Sequence, residues 1–121
     1  MLKNRRNATI RKELAWCEDS KEVLKSFPQE VVTDFGHALR LAQENQPCRN
    51  TKRLKSFSAA VYQISLDGPD KCTYRVVYVA NIGEYIYVLH CFQKKSTHGI
   101  KTPQAHLDKI SKRLQKLRRK T

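Results

Sequence analysis

Three consecutive segments, residues 61–66, 73–80 and 85–92, constrain the fold most, because each has the pattern of a β-strand and only short turns separate them. In the first segment apolar residues alternate with Gln63 and Ser65, as in a strand with one face toward a core. The second and third carry β-branched and aromatic residues on both faces, which is typical of central strands. Links this short join antiparallel neighbours. The sequence therefore predicts an antiparallel meander that helices cover on at least one face.

Two amphipathic helices are predicted ahead of the meander. Asp19 is a candidate N-cap and Glu22 completes the pattern of a capping box, so we expect a short helix over about residues 20–26. Pro28 suits the first turn of a second helix, whose apolar residues recur at helical spacing up to about Gln46. The two helices form a predicted hairpin that holds most of the acidic residues.

The remaining segments complete a predicted β-α-α-β-β-β-α order. Residues 8–17 have the mixed pattern of an edge strand ending near Trp16, and the cationic, aperiodic residues 48–60 predict an ordered loop. A last, strongly basic helix is expected to begin at Thr102 and Pro103. Its apolar stripe consists of Leu107, Ile110, Leu114 and Leu117. The predicted class is α+β, with an N-terminal strand and a helical hairpin packed on an antiparallel sheet.

Charge is distributed unevenly along the chain. Its 121 residues carry a formal net charge of +13, yet residues 13–44 have a net charge of −4, against +5 for residues 1–12 and +12 for residues 45–121. The length predicts one domain, residues 1–121, with residues 1–8 as a flexible basic arm. Such segregated positive charge favours a nucleic-acid partner over an anionic membrane surface or an acidic protein. A solvated surface that merely keeps the protein in solution is the alternative.

The composition also indicates where the protein is located in the cell and whether it binds a cofactor. The basic start of the chain is followed by no apolar stretch, and no run approaches the ~20 residues of a membrane helix, so we expect a cytoplasmic protein without a membrane partner. Cysteines occur at positions 17, 48, 72 and 91 and never in a Cys-x-x-Cys pair. We therefore expect reduced thiols and neither a zinc site nor another metal or cofactor.

Arg75 is the first candidate functional residue, because it lies inside the most hydrophobic predicted strand. A guanidinium is rarely placed there unless it is paired or faces a cleft. One interpretation is an ion pair with Glu84 or Asp70, or a side chain that extends to solvent. The other is a cation held on a rigid strand to bind phosphate.

His90 is the second candidate, near the end of the last predicted strand and just before Lys94 and Lys95. A single histidine on an apolar strand is more often a core residue with satisfied hydrogen bonds. Alternation puts His90 on the face of Val88 and Phe92, and Arg75 is able to share that face, although the register is open. The other histidines, His37, His98 and His106, are expected to have surface roles.

Together these residues are those that a metal-free ribonuclease needs. Such an enzyme activates the RNA 2′-hydroxyl to attack the adjacent phosphate and leaves a 2′,3′-cyclic phosphate. Arg75, Lys94 and Lys95 are candidates to stabilise the phosphorane, and His90 is a candidate acid or base. No carboxylate cluster suited to Mg²⁺ occurs in the sequence, which disfavours a metal-dependent nuclease.

The same residues carry a family resemblance. Leu54-Lys55-Ser56-Phe57, Thr73-Tyr74-Arg75-Val76-Val77-Tyr78, the run from Tyr87 to Ser96 and Lys101-Thr102-Pro103 occur in an order and spacing that resembles the phage-derived HigB-like toxins of the RelE/ParE superfamily. The resemblance covers about residues 12–118. It implies a curved antiparallel sheet with the helical hairpin on one side and a basic cleft on the other. It also implies the toxin of a type II toxin–antitoxin pair that cleaves mRNA on the ribosome.

The resemblance extends to partners and to individual residues. It implies a small helix-turn-helix antitoxin, in a complex that we expect to be a heterotetramer or larger. Arg75 matches the strand arginine that contacts the scissile phosphate, and Lys94 or Lys95 matches a cation that supports the transition state. Relatives often carry lysines where this chain has Gln63 and Ser65. The assignment of general acid and general base therefore stays open.

The leading hypothesis is a ribosome-dependent mRNA endonuclease that causes growth arrest. Residues expected to bind RNA or the ribosome are Lys52, Arg53, Lys55, Lys101, Lys112, Arg113, Lys116 and Arg119. One alternative is an inhibitor of DNA gyrase in the manner of ParE-type toxins, because the fold is shared and does not decide the target. The other is a non-catalytic nucleic-acid-binding module in which sheet tyrosines stack on bases, although such tyrosines are more often core residues.

Overall fold

The computed structural model describes residues 11–95 and 101–120, so the arm predicted over residues 1–8 lies outside the described part. The elements in chain order are β1 (Glu13–Trp16), α1 (Ser20–Lys25), α2 (Gln29–Gln43), β2 (Thr51–Arg53), β3 (Val61–Asp67), β4 (Thr73–Ile82), β5 (Tyr85–Lys94) and α3 (Gln104–Lys120). The predicted α+β class is confirmed.

One five-stranded sheet organises the described residues, with strand order β1-β5-β4-β3-β2. The meander β3-β4-β5 is antiparallel as predicted, but β1 pairs with β5 in parallel, so the sheet is mixed rather than wholly antiparallel. The expectation of a loop over residues 48–60 is wrong in part, because β2 pairs with β3 as an edge strand. Three residues are too few for a hydrophobic period to reveal a strand, and two of the three in β2 are cations, as is common on protected edges.

Helices cover both faces of the sheet. We call the side packed against α1 and α2 the hairpin face, where Phe35 and Leu39 meet Ile64 and Val76 in one apolar cluster. We call the opposite side the α3 face. There a second cluster joins residues of the meander to the last helix: Val61, Val77, Val79, Leu89, Phe92, Ile110 and Leu114. The predicted apolar stripe of the last helix is confirmed, with Leu107 and Leu117 half-buried at its ends.

The predicted capping box does not form. Asp19 occupies the N-cap position of α1, but its side chain makes no capping hydrogen bond. Asp19 Oδ1 instead accepts a hydrogen bond from Arg113 Nη2 of α3 at 2.8 Å. A long-range charged partner thus displaces a local backbone partner, and the turn before α1 is tied to α3.

Helix α2 ends at Gln43 rather than at the predicted Gln46. Asn45 adopts the left-handed conformation, with φ of 55°. The Gln46 N–H then bonds back to the carbonyl of Leu41 at 2.8 Å, which closes the helix. An asparagine tolerates this conformation better than most residues, so the turn replaces the last expected helical residues.

A β-bulge in β5 decides which side chains reach the α3 face. Val88 pairs with Tyr78 and His90 pairs with Val77, so Leu89 is the extra residue. Val88 belongs to the cluster on the hairpin face, whereas Leu89 and Phe92 belong to the cluster on the α3 face. Simple alternation therefore fails across Leu89: His90 shares its face with Phe92, as predicted, but not with Val88.

Candidate active site

Arg75 lies in the middle of the α3 face. Its register partners are Ser65 on β3 and Phe92 on β5, and its neighbour Val77 pairs with His90. Residues directly opposite in register share a face, so Arg75 and His90 lie on the same side of the sheet. The sequence left this register open.

The Arg75 guanidinium is buried without a compensating charge. The residue is 5% exposed, and burial holds its pKa below the ordinary value for arginine. Nη1 donates to the carbonyl oxygen of Lys101 at 3.5 Å, and Nε has no hydrogen-bond partner. Burying a cation in this way costs free energy unless a ligand completes its hydrogen bonds.

Neither of the two predicted carboxylate partners, Asp70 and Glu84, pairs with Arg75. Asp70 Oδ2 accepts a hydrogen bond from the Tyr74 hydroxyl at 2.5 Å, and Glu84 lies in the β4–β5 turn at the far end of β4. Among residues 11–95 and 101–120, the ion pairs that form all involve other cations. The guanidinium is therefore available to an external anion.

Two lysines bring further positive charge to Arg75. Lys94, at the end of β5, donates from Nζ to the Lys101 carbonyl oxygen at 3.0 Å, the same oxygen that Arg75 contacts. Desolvation and the neighbouring charges of Arg75 and Lys52 lower the pKa of Lys94. Lys52 pairs with Gln63 and so points to the α3 face. Lys95, the other predicted catalytic lysine, is exposed just beyond the strand.

Gln63 is fully buried and has a structural role. Its Oε1 accepts a hydrogen bond from Thr102 Oγ1 at 2.7 Å, and its Nε2 donates to Ser65 Oγ at 3.4 Å. Thr102 lies directly after Lys101 in the chain. The Gln63–Thr102 bond therefore holds the segment whose carbonyl oxygen contacts both Arg75 and Lys94.

His90 is 4% exposed and both of its ring nitrogens are engaged. Nε2 lies 2.8 Å from His106 Nδ1, and Nδ1 lies 3.4 Å from Arg113 Nη1. Burial, together with the charges of Arg113 and Lys109, lowers the pKa of His90 to about 4. His90 is thus neutral at pH 7, and its contacts with the rest of the site run through its two neighbours.

His106 is the site residue that sequence reasoning missed. Its ring stacks on Phe92 with centroids 3.8 Å apart and planes at 15°, beside the register position of Arg75. The expected surface role is therefore wrong for His106, whereas His37 is exposed on α2 and His98 lies outside the described residues. One feature of the sequence indicates this placement. His106 precedes Ile110 by one helical turn, which puts both on the side of α3 that faces the sheet.

Arg113, predicted to bind RNA, is engaged inside the protein. Nη1 donates to the carbonyl oxygen of Leu89 at 2.8 Å, and Nη2 bonds to Asp19. Only 11% of its side chain is exposed. Its hydrogen bonds join α3 to the bulge of β5 and to the turn before α1.

Among the described residues, no group of three histidine, cysteine or acidic side chains is placed to hold a metal ion. All four cysteines are free thiols. No helix in the described ranges is long and apolar enough to cross a membrane. The groups that the α3 face brings together are the cations of Arg75 and Lys94 and the imidazoles of His90 and His106, a set suited to an anionic ligand.

Comparison with known proteins places this chain in a family. The model of the phage-derived Gp49-like proteins matches residues 22–115, which span every strand of the meander and most of α3. This chain belongs to the phage-derived Gp49-like family. No curated protein and no solved structure matches it significantly.

The other predicted RNA-binding cations of this Gp49-like protein lie in two exposed groups, one on or next to β2 and one on and before α3. Lys52, Arg53 and Lys55 lie on or next to the edge strand β2, where Arg53 also donates to the carbonyl oxygens of Ser58 and Ala59. Lys112, Lys116 and Arg119 are exposed on α3, and Lys101 precedes that helix. Lys116 forms an exposed ion pair with Glu18 at 3.4 Å.

The sheet tyrosines of this Gp49-like protein lie away from the candidate site. Tyr62 and Tyr78 stack on each other at 5.5 Å on the hairpin face, and Tyr74 packs on Phe27 in the same cluster. These three tyrosines pack in the core cluster of the hairpin face, as most tyrosines in sheets do. Tyr85 and Tyr87 lie together at the turn end of β5.

Proposed function

We propose that this protein is the toxin of a type II toxin–antitoxin pair and a metal-independent endoribonuclease that cleaves mRNA on the translating ribosome. The Gp49-like family often supplies the toxin of a toxin–antitoxin pair, which supports the first part of the proposal. The observation that carries the proposal is Arg75, a buried guanidinium with an unpartnered Nε and no carboxylate partner among the described residues. Such a group is costly to the fold, and binding an anion would repay that cost.

The proposed substrate anion is the scissile phosphate of RNA. Arg75 binds it with the planar fork of its guanidinium, and Lys94, whose ammonium is close enough to Arg75 for their charges to interact, adds a second cation. Charge on the phosphate grows as the phosphorane forms. A preorganised cation aimed at that charge lowers the activation free energy of cleavage by roughly 3–4 kcal/mol.

The proposed reaction balances without a metal or a co-reactant. The O2′ atom loses its proton and bonds to phosphorus, and the bond from phosphorus to O5′ breaks. The leaving O5′ gains a proton, so the products are a 2′,3′-cyclic phosphate and a 5′-hydroxyl. No net proton is consumed, and the role of the protein is to hold the phosphate, disperse its charge and supply hydrogen bonds.

The exposed cations provide the proposed binding to the ribosome. Lys109, Lys112, Lys116 and Arg119 recur every three or four residues along the exposed side of α3. That repeat forms a stripe of charge along one side of the helix. The hairpin of α1 and α2 packs on the opposite face of the sheet, and the turn before α1 reaches α3 through Glu18 and Asp19. We propose that a small helix-turn-helix antitoxin neutralises the protein.

Controlled expression in bacterial cells tests the proposal. The intact chain should arrest growth and produce new mRNA ends inside reading frames, while Arg75→Ala should lower cleavage at least about 10²-fold, in line with the loss of one transition-state group. Arg40→Ala is the matched control, because it removes the same charge from an exposed position on α2. Its activity should equal that of the parent.

Three outcomes would overturn the proposal. If Arg75→Ala cleaves mRNA as well as the parent, Arg75 does not bind the scissile phosphate. If the chain arrests growth with intact mRNA and broken DNA, the target is gyrase, as for ParE-type toxins. Salt-sensitive RNA binding without cleavage on ribosomes would identify a binding module instead.

A further inference from the structure

Four side chains form a continuous hydrogen-bonded line from the turn before α1 to the edge of the candidate site. Asp19 accepts from Arg113, Arg113 Nη1 lies against His90 Nδ1, and His90 Nε2 lies against His106 Nδ1. The line crosses from β5 to α3 and ends at His106, which is half-buried on Phe92. No described residue bonds His106 Nε2, the last nitrogen of the line.

Donor chemistry assigns the protons along this line. A guanidinium has only N–H donors, so His90 Nδ1 must accept from Arg113. The proton of the neutral His90 ring is then on Nε2, and Nε2–H donates to His106 Nδ1. The proton of the neutral His106 ring is therefore on Nε2. The N–H of that nitrogen points away from His90, because the two nitrogens of an imidazole face opposite ways.

We propose that His106 contacts the substrate, presenting Nε2–H as a neutral hydrogen-bond donor to an oxygen of the phosphate that Arg75 holds, and that Arg113 and His90 fix its tautomer. This inference rests on the proposed function and deepens it. The role of His106 is to donate to the charge that grows on the phosphate oxygens. Arg113 and His90 act through His106 and are positioning residues.

The charges around the pair keep it neutral. His90 faces Arg113 and Lys109 of α3, with Asp19 beyond them as the only carboxylate among its described partners. His106 faces Lys109 on its own helix and Arg75 on β4. To take up a proton the pair would have to place a second N–H between the two rings or against Arg113. The geometry thus favours a neutral donor over a residue that shuttles a proton from the 2′-hydroxyl.

A neutral donor has a specific advantage beside Arg75 and Lys94. A third cation in this cluster would raise the repulsion that the empty site must bear. A neutral imidazole N–H adds a hydrogen bond to the phosphate without that repulsion, and histidines kept neutral for this purpose occur in other enzymes. His106 therefore complements the two cations in a way that a further lysine would not.

Nitrogen NMR of the full chain labelled in its histidine rings tests the tautomer. At pH 7 the His106 Nδ1 resonance should be that of an unprotonated acceptor and the Nε2 resonance that of an N–H. Arg113→Met removes the donor to His90, so a fraction of His106 should change to the Nδ1–H form. A His106 ring that is charged at pH 7, or protonated on Nδ1 in the parent, would overturn the inference.

A short RNA blocked by 2′-deoxy substitution tests the contact. At saturation, followed on resonances of α3, the oligonucleotide should shift the His106 Nε2–H resonance. It should leave His37, exposed on α2, unchanged. No shift at His106 under saturation would overturn the inference, whether or not the protein cleaves RNA.

Cleavage on ribosomes separates the two proposals. If the parent cleaves, His106→Ala should lose roughly 10²-fold in rate, and His106→Gln, which keeps an N–H donor, should recover part of it. His37→Ala is the control and should match the parent. Equal cleavage by His106→Ala and the parent would overturn the role of His106 and leave the proposed function standing. A parent that cleaves no mRNA would overturn the proposed function, and the oligonucleotide shift would then decide whether His106 contacts phosphate.

Discussion

Phe92 lies directly opposite Arg75 in the β4–β5 register, and its ring is the surface on which His106 stacks at 3.8 Å. An aromatic side chain beside the buried cation thus holds a histidine of α3 against its ring. Because Phe92 and Arg75 are fixed by the sheet, the geometry of the candidate site depends on strands rather than on loops.

Replacing the buried cation should stabilise the fold. Arg75→Met keeps most of the side-chain length and removes a guanidinium that has no carboxylate partner among the described residues, so the free energy of unfolding should rise by about 1 kcal/mol or more. Denaturant unfolding measures this change. Arg40→Met, at an exposed ion pair, should change stability by less than about 0.5 kcal/mol. A loss of stability in Arg75→Met would show that the arginine is structural.

The hydrogen bond between Thr102 and Gln63 should stabilise the segment beside the site. Thr102→Val leaves Gln63 Oε1 without its 2.7 Å partner in a fully buried position, at a cost of about 1–3 kcal/mol. Thermal and denaturant unfolding measure the loss. Thr33→Val on α2 is the matched control, because the Thr33 hydroxyl is exposed and its bonds are local. Equal effects of the two substitutions would contradict the account.

Stability should fall in mildly acidic solution because of His90. Its pKa is lowered to about 4 by burial, from an ordinary value near 6.5, so between these pH values the unfolded chain binds more protons than the folded one. The contribution is fully present above about pH 6.5 and is lost as the pH falls toward 4. The free energy of unfolding should drop by about 1–3 kcal/mol over this window.

His90→Phe tests this effect, because it removes the His90 imidazole and leaves His106, whose pKa burial also lowers. The acid-induced loss between pH 6.5 and 4 should then be smaller than in the parent, whereas His37→Phe on the exposed side of α2 should keep the full loss. Asp19, whose pKa is lowered by its hydrogen bond with Arg113, loses its stabilising contribution only as the pH falls below its ordinary pKa of 3.8. An unchanged slope in His90→Phe would mean that His90 is not the group responsible.

Binding to RNA should depend on salt through the stripe on α3. Lys112→Gln combined with Arg119→Gln should reduce the slope of log affinity against log salt by roughly 0.7–0.9 for each cation that contacts a phosphate. Lys21→Gln combined with Lys25→Gln on α1 is the matched control, since it removes the same charge from the other side of the sheet. Filter binding or fluorescence titration at several salt concentrations measures the slopes. Equal slopes for the two double variants would contradict the assignment of this surface.

Local patterns predicted the elements that have a strong period. The meander, the hairpin and α3 follow from alternation and helical spacing, and the Arg75 position stood out because a cation interrupts an apolar strand. The short β2 and the parallel pairing of β1 depend on tertiary partners that no local pattern encodes. Asp19 was expected to cap α1, but a partner 94 residues away binds it instead.

The histidine pair shows why the site was only partly predictable. Alternation predicts that His90 shares its face of the sheet with both Val88 and Phe92. Only Phe92 does so, because Leu89 forms a bulge that the sequence does not indicate. The position of His106 on its helix alone predicts a surface role, because its partner His90 lies 16 residues earlier in the chain. The face on which His90 lies and its contact with His106 both depend on the packing of α3 against β5, which only the folded structure supplies.

The chemistry of the cleaved ends tests the central claim most directly. Translating ribosomes would be supplied with the purified chain and with a message that carries either ribose or a single 2′-deoxyribose at the mapped cleavage position. The account predicts a 2′,3′-cyclic phosphate and a 5′-hydroxyl from the first message and no cleavage of the second. Arg75→Ala should cleave the first message at least about 10²-fold more slowly than the parent. Ends bearing a 3′-hydroxyl and a 5′-phosphate, or cleavage of the deoxy-substituted message, would contradict the account.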